Sequence, residues 1–399
     1  MQGYFTEPRH DALRQEVREF AEREVRPRIP EMEAGRRVEI DLVRRIAERG
    51  WIGVTVDPAY GGMGAGHVAR TVIIEEISRV SGAMGAAVQA SILGVAKIIH
   101  FGSEAQRKTW LPRIASGECL PTIATTEEQS GGHILGMSTT AVRDGDDYVL
   151  NGHKVYVGNS HIGDVHGVVA RTGTGRKDLS AFLVERDRPG LTLAEHKTAM
   201  GLHGFSFGKL LFRNCRVPAE NLVGCEGDGL RVAHSSSVLY GRPNLTAVAL
   251  GIHKAVVEEA VTLCKERRRY GKPLGELHNI KLKLGEMKHR LMTAELTAYH
   301  AAHLLDQGAK CDAELYNAKY FNVEAAVQSA RDCLNLHAAS GLFTDRPVER
   351  YLRDAFHIYP PAGTGEVQLL RLAQLALGTY RGQWSERLAD KVSLQAQRN

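Results

Sequence analysis

The chain has 399 residues, 43% of them hydrophobic and 24% charged, with 51 Lys and Arg against 46 Asp and Glu for a formal charge of +5. It is long enough for two or three domains around a large core. The basic residues are interleaved with acids and form no aromatic-studded stripe, which argues against nucleic acid as the main ligand. No run approaches the roughly 18 uninterrupted apolar residues of a membrane span. The opening MQGYFTEPRHDALRQEV lacks the order of a signal peptide, so a cytoplasmic protein without membrane contact is expected. Residues 1–119 read as successive helices rich in Ala, Glu, Arg and Leu. Residues 120–235 change texture: Asp144-Gly145 and Asn151-Gly152 fall between alternating apolar runs and predict hairpins, and LSAFLVE, LTLAEH and KLLFRN add period-two segments, so this block is a sheet domain. In residues 236–399 the helical period returns. Ile280, Leu284, Met287, Leu291, Ala294, Ala298, Ala302 and Leu305 step by three or four and predict a helix that needs partner helices, hence a bundle. The final stretch from Trp384 reads as a solvated end.

Cys119, Cys215, Cys225, Cys264, Cys311 and Cys333 form no C-x-x-C pair and no Cys/His ligand spacing, so reduced structural thiols and no metal are expected. AYGGMGAG (59–66) lacks the spacing and the βαβ setting of a dinucleotide fingerprint and reads as a loop. IATTEEQSGGH (123–133) ends in adjacent glycines whose backbone could closely approach a flat or phosphorylated ligand. In KERRRYGKP (265–273) three arginines follow a helix end, an arrangement that suits either the helix dipole or pyrophosphate oxygens. The two prolines of IYPPAGTGEVQ (358–368) cannot sit inside a helix, and Ala362-Gly363-Thr364 separates them from a helical pattern that restarts at Glu366.

Three blocks resemble the acyl-CoA dehydrogenase family in order and spacing over nearly the whole chain. They are FGSEAQRKTWLPRIASGE (101–118), TTEEQSGGH (125–133) with RDGDDYVLNGHKVYV (143–157), and ERRRYGKPL (266–274) with EMKHRL and PVERYLRDAFHIY. The resemblance implies an α+β, mainly α fold: an N-terminal helical domain, a middle β domain and a C-terminal four-helix bundle. It further implies a homotetramer or dimer with FAD between domains and across a subunit interface. By the same resemblance, Thr125 and Thr126 match the strand that meets the pyrimidine edge of the flavin, and Gly131 and Gly132 lie in the adjoining loop. Arg267 and Tyr270 match the Arg and Phe that reach FAD across the interface. His278 and Asn335 stand where Gln is usual, Ala338-Ala339 replace a Gly-Gly pair, and Thr364 and Glu366 match the adenosine-side loop.

Departures from the family pattern gather at the reacting end. Tyr156 replaces a Trp beside the isoalloxazine, and Gly158 replaces the Thr that addresses flavin N5, which is expected to leave more room there. Ala362 holds the position of the usual catalytic Glu, and the alternative location known in some relatives is Gly241, next to a retained Arg242. A dehydrogenation that ionises a carbon acid needs a base within reach of the proton, and losing it costs on the order of 100- to 10,000-fold. The substitutes at hand are His133, Tyr240, Glu128 and Tyr156, with His133 favoured because imidazole titrates near neutrality. Arg242 is a further candidate for the catalytic set.

Three functions follow from this pattern. The leading expectation is a monooxygenase-like enzyme of secondary metabolism that uses reduced flavin and dioxygen on a specialised small molecule, supplied by a flavin reductase or electron-transfer partner. The second is α,β-dehydrogenation of a CoA or carrier-protein thioester with a relocated base. The third is a non-catalytic partner subunit in a hetero-oligomer.

Overall fold

The computed structural model describes residues 4–175 and 178–386. Helices α1 (Pro8–Phe20), α2 (Ile29–Gly35), α3 (Ile40–Ala47), α4 (Gly66–Val80), α5 (Gly82–Phe101) and α6 (Glu104–Ala115) form the N-terminal layer. Their starts are encoded locally. Ser81 Oγ accepts the Met84 N–H at the head of α5, and Ser103 with Gln106 forms a reciprocal capping box at the head of α6. By length and composition α5 could cross a bilayer, yet it runs through the protein core with nearly every residue buried. AYGGMGAG is a loop that leads into α4, as read from the sequence.

The middle of the chain forms an eight-stranded sheet. Its strands are β1 (Pro121–Ala124), β2 (Thr140–Asp144), β3 (Asp147–Gly158), β4 (Val165–Arg171), β5 (Leu179–Glu185), β6 (Leu191–Leu193), β7 (Phe207–Pro218) and β8 (Leu222–Val223). The order is β6-β7-β3-β2-β4-β5-β8, and β1 adds in parallel to β4. Asp144-Gly145 makes the expected hairpin, with Asp144 paired to Asp147 and Gly145 at φ +63°. Asn151-Gly152 does not. It lies inside β3 at a register shift against β7, and a Cβ on Gly152 would stand 2.6 Å from Thr139 Oγ1. Thr139 Oγ1 is tied to the backbone of His153, so pairing across the sheet and a close approach, rather than a turn, select this glycine. The sheet docks on α5, where a Cβ on Gly94 would come within 2.4 Å of Pro121 O.

The chain then runs through α7 (Gly229–Ser236), a π-helical turn at Ser237–Gly241, and α8 (Arg242–Glu266). The small hairpin β9 (Arg268–Arg269) and β10 (Lys272–Pro273) leads to α9 (His278–Asp306), α10 (Asp312–His337), α11 (Val348–His357) and α12 (Gly365–Ala376). Met287, Leu291, Ala294, Ala298, Ala302 and Leu305 are buried on one face of α9, as the periodicity predicts, with α8 and α10 as partners. All six cysteines are free, and five are buried.

The start of the C-terminal stretch departs from the solvated end expected of it. The Asp312 carboxylate accepts the N–H groups of Trp384 and Ser385 and the hydroxyls of Tyr380 and Ser385, which pins the segment to the head of α10. Residues 387–399 lie outside the described residues.

Helix α10 stops at Ala338, which has φ +55° and ψ −139°. A side chain is strained in that conformation and glycine is not. Ala338→Gly is therefore expected to stabilise the fold by about 1 kcal/mol, measured as a higher midpoint in denaturant unfolding.

Candidate active site

The break at 358–364 is a loop whose carbonyls are turned inward. Pro360-Pro361 end the run of α11, Ala362 and Gly363 take φ +55° and +93°, and Thr364 begins α12. Lys319 Nζ donates to the Tyr359 and Gly363 carbonyls at 2.7 and 2.8 Å. Gln368 Nε2 donates to the Ala362 and Gly363 carbonyls at 3.2 and 2.9 Å, and Gln368 Oε1 accepts from Arg242 Nε at 2.9 Å. All three side chains are buried. Burial pulls the Lys319 ammonium down to about 7, and the nearby Arg242 adds to the effect. Burial likewise lowers Arg242.

This clamp presents Ala362 to the π-helical turn. A Cβ built on Gly241 would stand 3.1 Å from Ala362 Cβ and 3.9 Å from Leu93 Cδ1. The two positions singled out in sequence as alternative homes for a base thus face each other in space, and both present only a methyl group or a hydrogen.

Of the residues named as substitutes, His133 and Glu128 face solvent and Tyr240 is engaged by other side chains. His133 is exposed at the loop tip, with its ring folded over the turn Ile134–Gly136. Glu128 is exposed and paired with Lys209 at 2.8 Å and with His153. Tyr240 is buried among N-terminal residues: its hydroxyl is 3.3 Å from Thr55 Oγ1, the Arg70 guanidinium lies 4.6 Å over its ring, and His67 and His100 pack at its edges. Burial pushes its phenol up, which further removes it as a base. Arg242, the further candidate, donates to Gln368 Oε1 and to Ser237 Oγ at 3.1 Å and lies over the Tyr316 ring, so it supports the loop.

The residues expected to hold the flavin fall into three groups. On the β domain, the Thr125 carbonyl accepts Lys154 Nζ and the Thr126 carbonyl accepts the Val155 N–H, so both threonines are fixed to β3. Gly131 and Gly132 follow with open space where a Cβ would stand. Tyr156, 62% exposed at φ +55°, stacks on Phe207 at 5.7 Å. Gly158 does not open the site as expected, because its Cβ would meet Ala90 Cβ and Phe205 Cζ, each at 3.1 Å. The second group is at the end of the bundle. Arg267 Nη1 donates to the His337 carbonyl, beside Asn335, Ala338 and the exposed Ala339, and Tyr270 projects from the β9–β10 turn with 90% exposure. His278 is exposed at the first position of α9. The third group is Thr364 with the exposed Glu366, whose carboxyl is lowered first by the hydrogen bond from Thr364.

This donor set suits FAD. It offers a guanidinium suited to phosphate, an exposed aromatic ring, and adjacent glycines with open space where a Cβ would stand.

Sequence reasoning missed the residue that organises the first group. Glu127 is buried, and its carboxylate accepts from Lys154 Nζ at 2.8 Å, from the Ser138 and Thr139 N–H groups at 2.7 and 3.0 Å, and from Gln129 Nε2 at 2.6 Å. Burial pushes this carboxyl up, but Lys154 and the loop donors outweigh it and hold Glu127 at about 2. The 128–138 loop is thereby folded around one anion. Only the adjacency of two glutamates hinted at it, and nothing in the spacing points to Lys154.

Comparison with known proteins gives the same frame. Residues 7–118, 122–215 and 227–377 match the N-terminal, middle and C-terminal domains of acyl-CoA dehydrogenase. An acyl-CoA dehydrogenase of Bacillus subtilis (strain 168) is 37% identical over 92% of this chain and 97% of its own length. The crystal structure of the prolyl acyl carrier protein oxidase AnaB superposes with a TM-score of 0.88 at 28% identity, covering 93% of this chain and 99% of that one. A glutaryl-CoA dehydrogenase from Mycobacterium smegmatis in complex with FADH2 superposes with a TM-score of 0.89 at 26% identity, covering 94% of this chain and 96% of that one. With its three domains matched in order, the chain belongs to the acyl-CoA dehydrogenase family and is an FAD-dependent oxidoreductase.

Proposed function

We propose that the protein oxidises an acyl thioester, carried on coenzyme A or on a carrier protein, at a carbon that also bears a hydroxyl or an amine N–H. The observation behind this reading is the Ala362–Gly241 pair, which leaves both base positions without a proton acceptor. Removing a proton from carbon needs such an acceptor in the site, whereas a proton on oxygen or nitrogen exchanges readily with water. In the proposed reaction the C–H bond breaks and its electron pair leaves as hydride. The O–H or N–H proton passes to water, and a C=O or C=N bond forms, so the substrate loses two electrons. When bound, FAD supplies the two-electron acceptor.

The chain's own residues do the rest. Arg242, Gln368 and Lys319 fix the 359–363 loop beneath the reacting carbon, and Leu93 with Ala362 keeps that point apolar. The prolyl-carrier oxidase among the similar structures acts on an acyl group that bears an amine, which agrees with this class. The oxygenase reading was to draw on room beside Gly158, and Ala90 with Phe205 fills that space.

Anaerobic mixing of the holoenzyme with a panel of thioesters tests the proposal. Hydroxyacyl or aminoacyl thioesters are expected to bleach the flavin without added reductant, and butyryl-CoA is expected not to. If the flavin reacts only after an external reductant and air, with oxygen-18 appearing in the product, the oxygenase reading replaces this one.

A further inference from the structure

The π-helical turn that carries Gly241 runs straight into a proline. Pro243 is the second residue of α8 and has no N–H to return to the turn. In helical register that N–H would serve a carbonyl four or five residues earlier, at Leu239 or Val238. The Leu239 carbonyl is served from another helix: Arg70 Nη1, on α4, donates to it at 3.1 Å. The same guanidinium lies 4.6 Å over the ring of Tyr240, the next residue of the turn.

Arg70 grips from a fixed platform. Asp306 accepts the His67 and Val68 N–H groups at the head of α4, the second at 2.9 Å. Helix α4 lies so close to α8 that a Cβ on Gly251 would stand 2.3 Å from the Glu75 carbonyl. Arg70 is fully buried, and its Nε and Nη2 find no acceptor among the described residues. Burial lowers it only to about 10, so it remains a cation at neutral pH. A buried cation with idle donors costs stability, so the fold gains little from it beyond its grip on the turn.

Both walls of the reacting point hang on that turn. Gly241 faces Ala362, with a built Cβ 3.1 Å from Ala362 Cβ. Arg242 Nε donates to Gln368 Oε1 at 2.9 Å, and Gln368 Nε2 holds the Ala362 and Gly363 carbonyls.

We infer that Arg70 is a positioning residue for the oxidation: from the N-terminal helical layer it sets the 237–241 turn and, through Arg242 and Gln368, the loop that bears Ala362. This rests on the reading that places the reacting carbon at the Ala362–Gly241 contact. Displacements of about 1 Å at such a point can cost about 100-fold in rate.

The holoenzymes of the parent, Arg70→Met, Pro243→Ala and the double variant test this by amide hydrogen exchange read by mass spectrometry. Arg70→Met is expected to speed exchange about ten- to a hundredfold in 237–246 and also in 359–368, which Arg70 does not touch. Pro243→Ala restores an N–H that can serve Leu239. On that background Arg70→Met is expected to speed exchange by no more than about threefold. Arg70→Lys, which keeps the charge and shortens the reach, replaces Arg70→Met if that variant does not fold, and the same pattern is expected of it. With a thioester that bleaches the parent flavin, Arg70→Met is expected to lower the limiting rate of reduction at least about tenfold, to leave half-saturation within about threefold, and to recover in the double variant. Unchanged exchange at 359–368, or a loss as large on the Pro243→Ala background as in the parent, overturns the positioning role. If no thioester bleaches the parent flavin, the thioester reading falls, and the exchange pattern alone decides for or against Arg70.

Discussion

Replacing Ala362 by Glu is expected to raise the rate at which butyryl-CoA reduces the flavin by about 100- to 10,000-fold, the usual worth of a positioned general base. The loop is already shaped to deliver it. Ala362 has φ +55°, its carbonyl is held by Gln368, and its Cβ points at the turn bearing Gly241. A carboxylate on that Cβ would arrive where the family pattern places one, with no change in the clamp formed by Arg242, Gln368 and Lys319. The companion Gly241→Glu is expected to gain less, because its Cβ must fit 3.1 Å from Ala362 Cβ before any carboxylate can be placed. Anaerobic stopped-flow at the flavin absorbance band measures both. An unchanged rate in Ala362→Glu would mean that another group in the parent protein already takes the proton.

The second large effect falls on stability. Glu127 and Lys154 are an ion pair with both side chains fully buried, and removing one partner of such a pair costs about 3–5 kcal/mol because the other charge is left alone. Glu127→Ala is expected to lose that much in denaturant unfolding and to release flavin more readily, since the carboxylate ties Gln129 at one end of the loop to Ser138 and Thr139 at the other. The double variant Glu127→Gln/Lys154→Met is expected to recover a large part of the loss, because it removes both charges together. The acid limb carries a second signature. Glu127 is held below the ordinary carboxylate range, so its contribution is complete at neutral pH and is lost as the pH falls through about 2. Parent and Glu127→Gln unfolding curves should therefore converge toward strong acid and separate as the pH rises.

Much of this architecture was legible because local rules and tertiary structure agree. The stepping of Met287, Leu291, Ala294 and Ala298 describes the buried face of α9, and Asp144-Gly145 makes the turn its composition demands. Where reading failed, a distant contact had overridden a local rule. Asn151-Gly152 has the composition of a hairpin turn, but Thr139 and the pairing with β7 require a glycine in an uninterrupted strand. Trp384 and Ser385 look like a polar tail until Asp312, more than seventy residues earlier, offers its carboxylate.

The candidate site divides in the same way. The two family positions for a base could be read separately in the sequence, as Ala362 and Gly241. That the two face each other, that Arg242 supports Gln368 and that Tyr240 belongs to the N-terminal cluster all depend on packing between helices far apart in sequence. The room expected beside Gly158 was an inference from one residue, and two others, Ala90 and Phe205, occupy it.

The central claim is that no group of this protein ionises a carbon acid at the reacting point. Hydrogen exchange at C2 of butyryl-CoA, followed by NMR in D2O with the anaerobic holoenzyme, tests it most directly. The account predicts no deuterium incorporation above the rate in buffer for the parent protein and clear incorporation for Ala362→Glu. Exchange by the parent protein as fast as by that variant would contradict it.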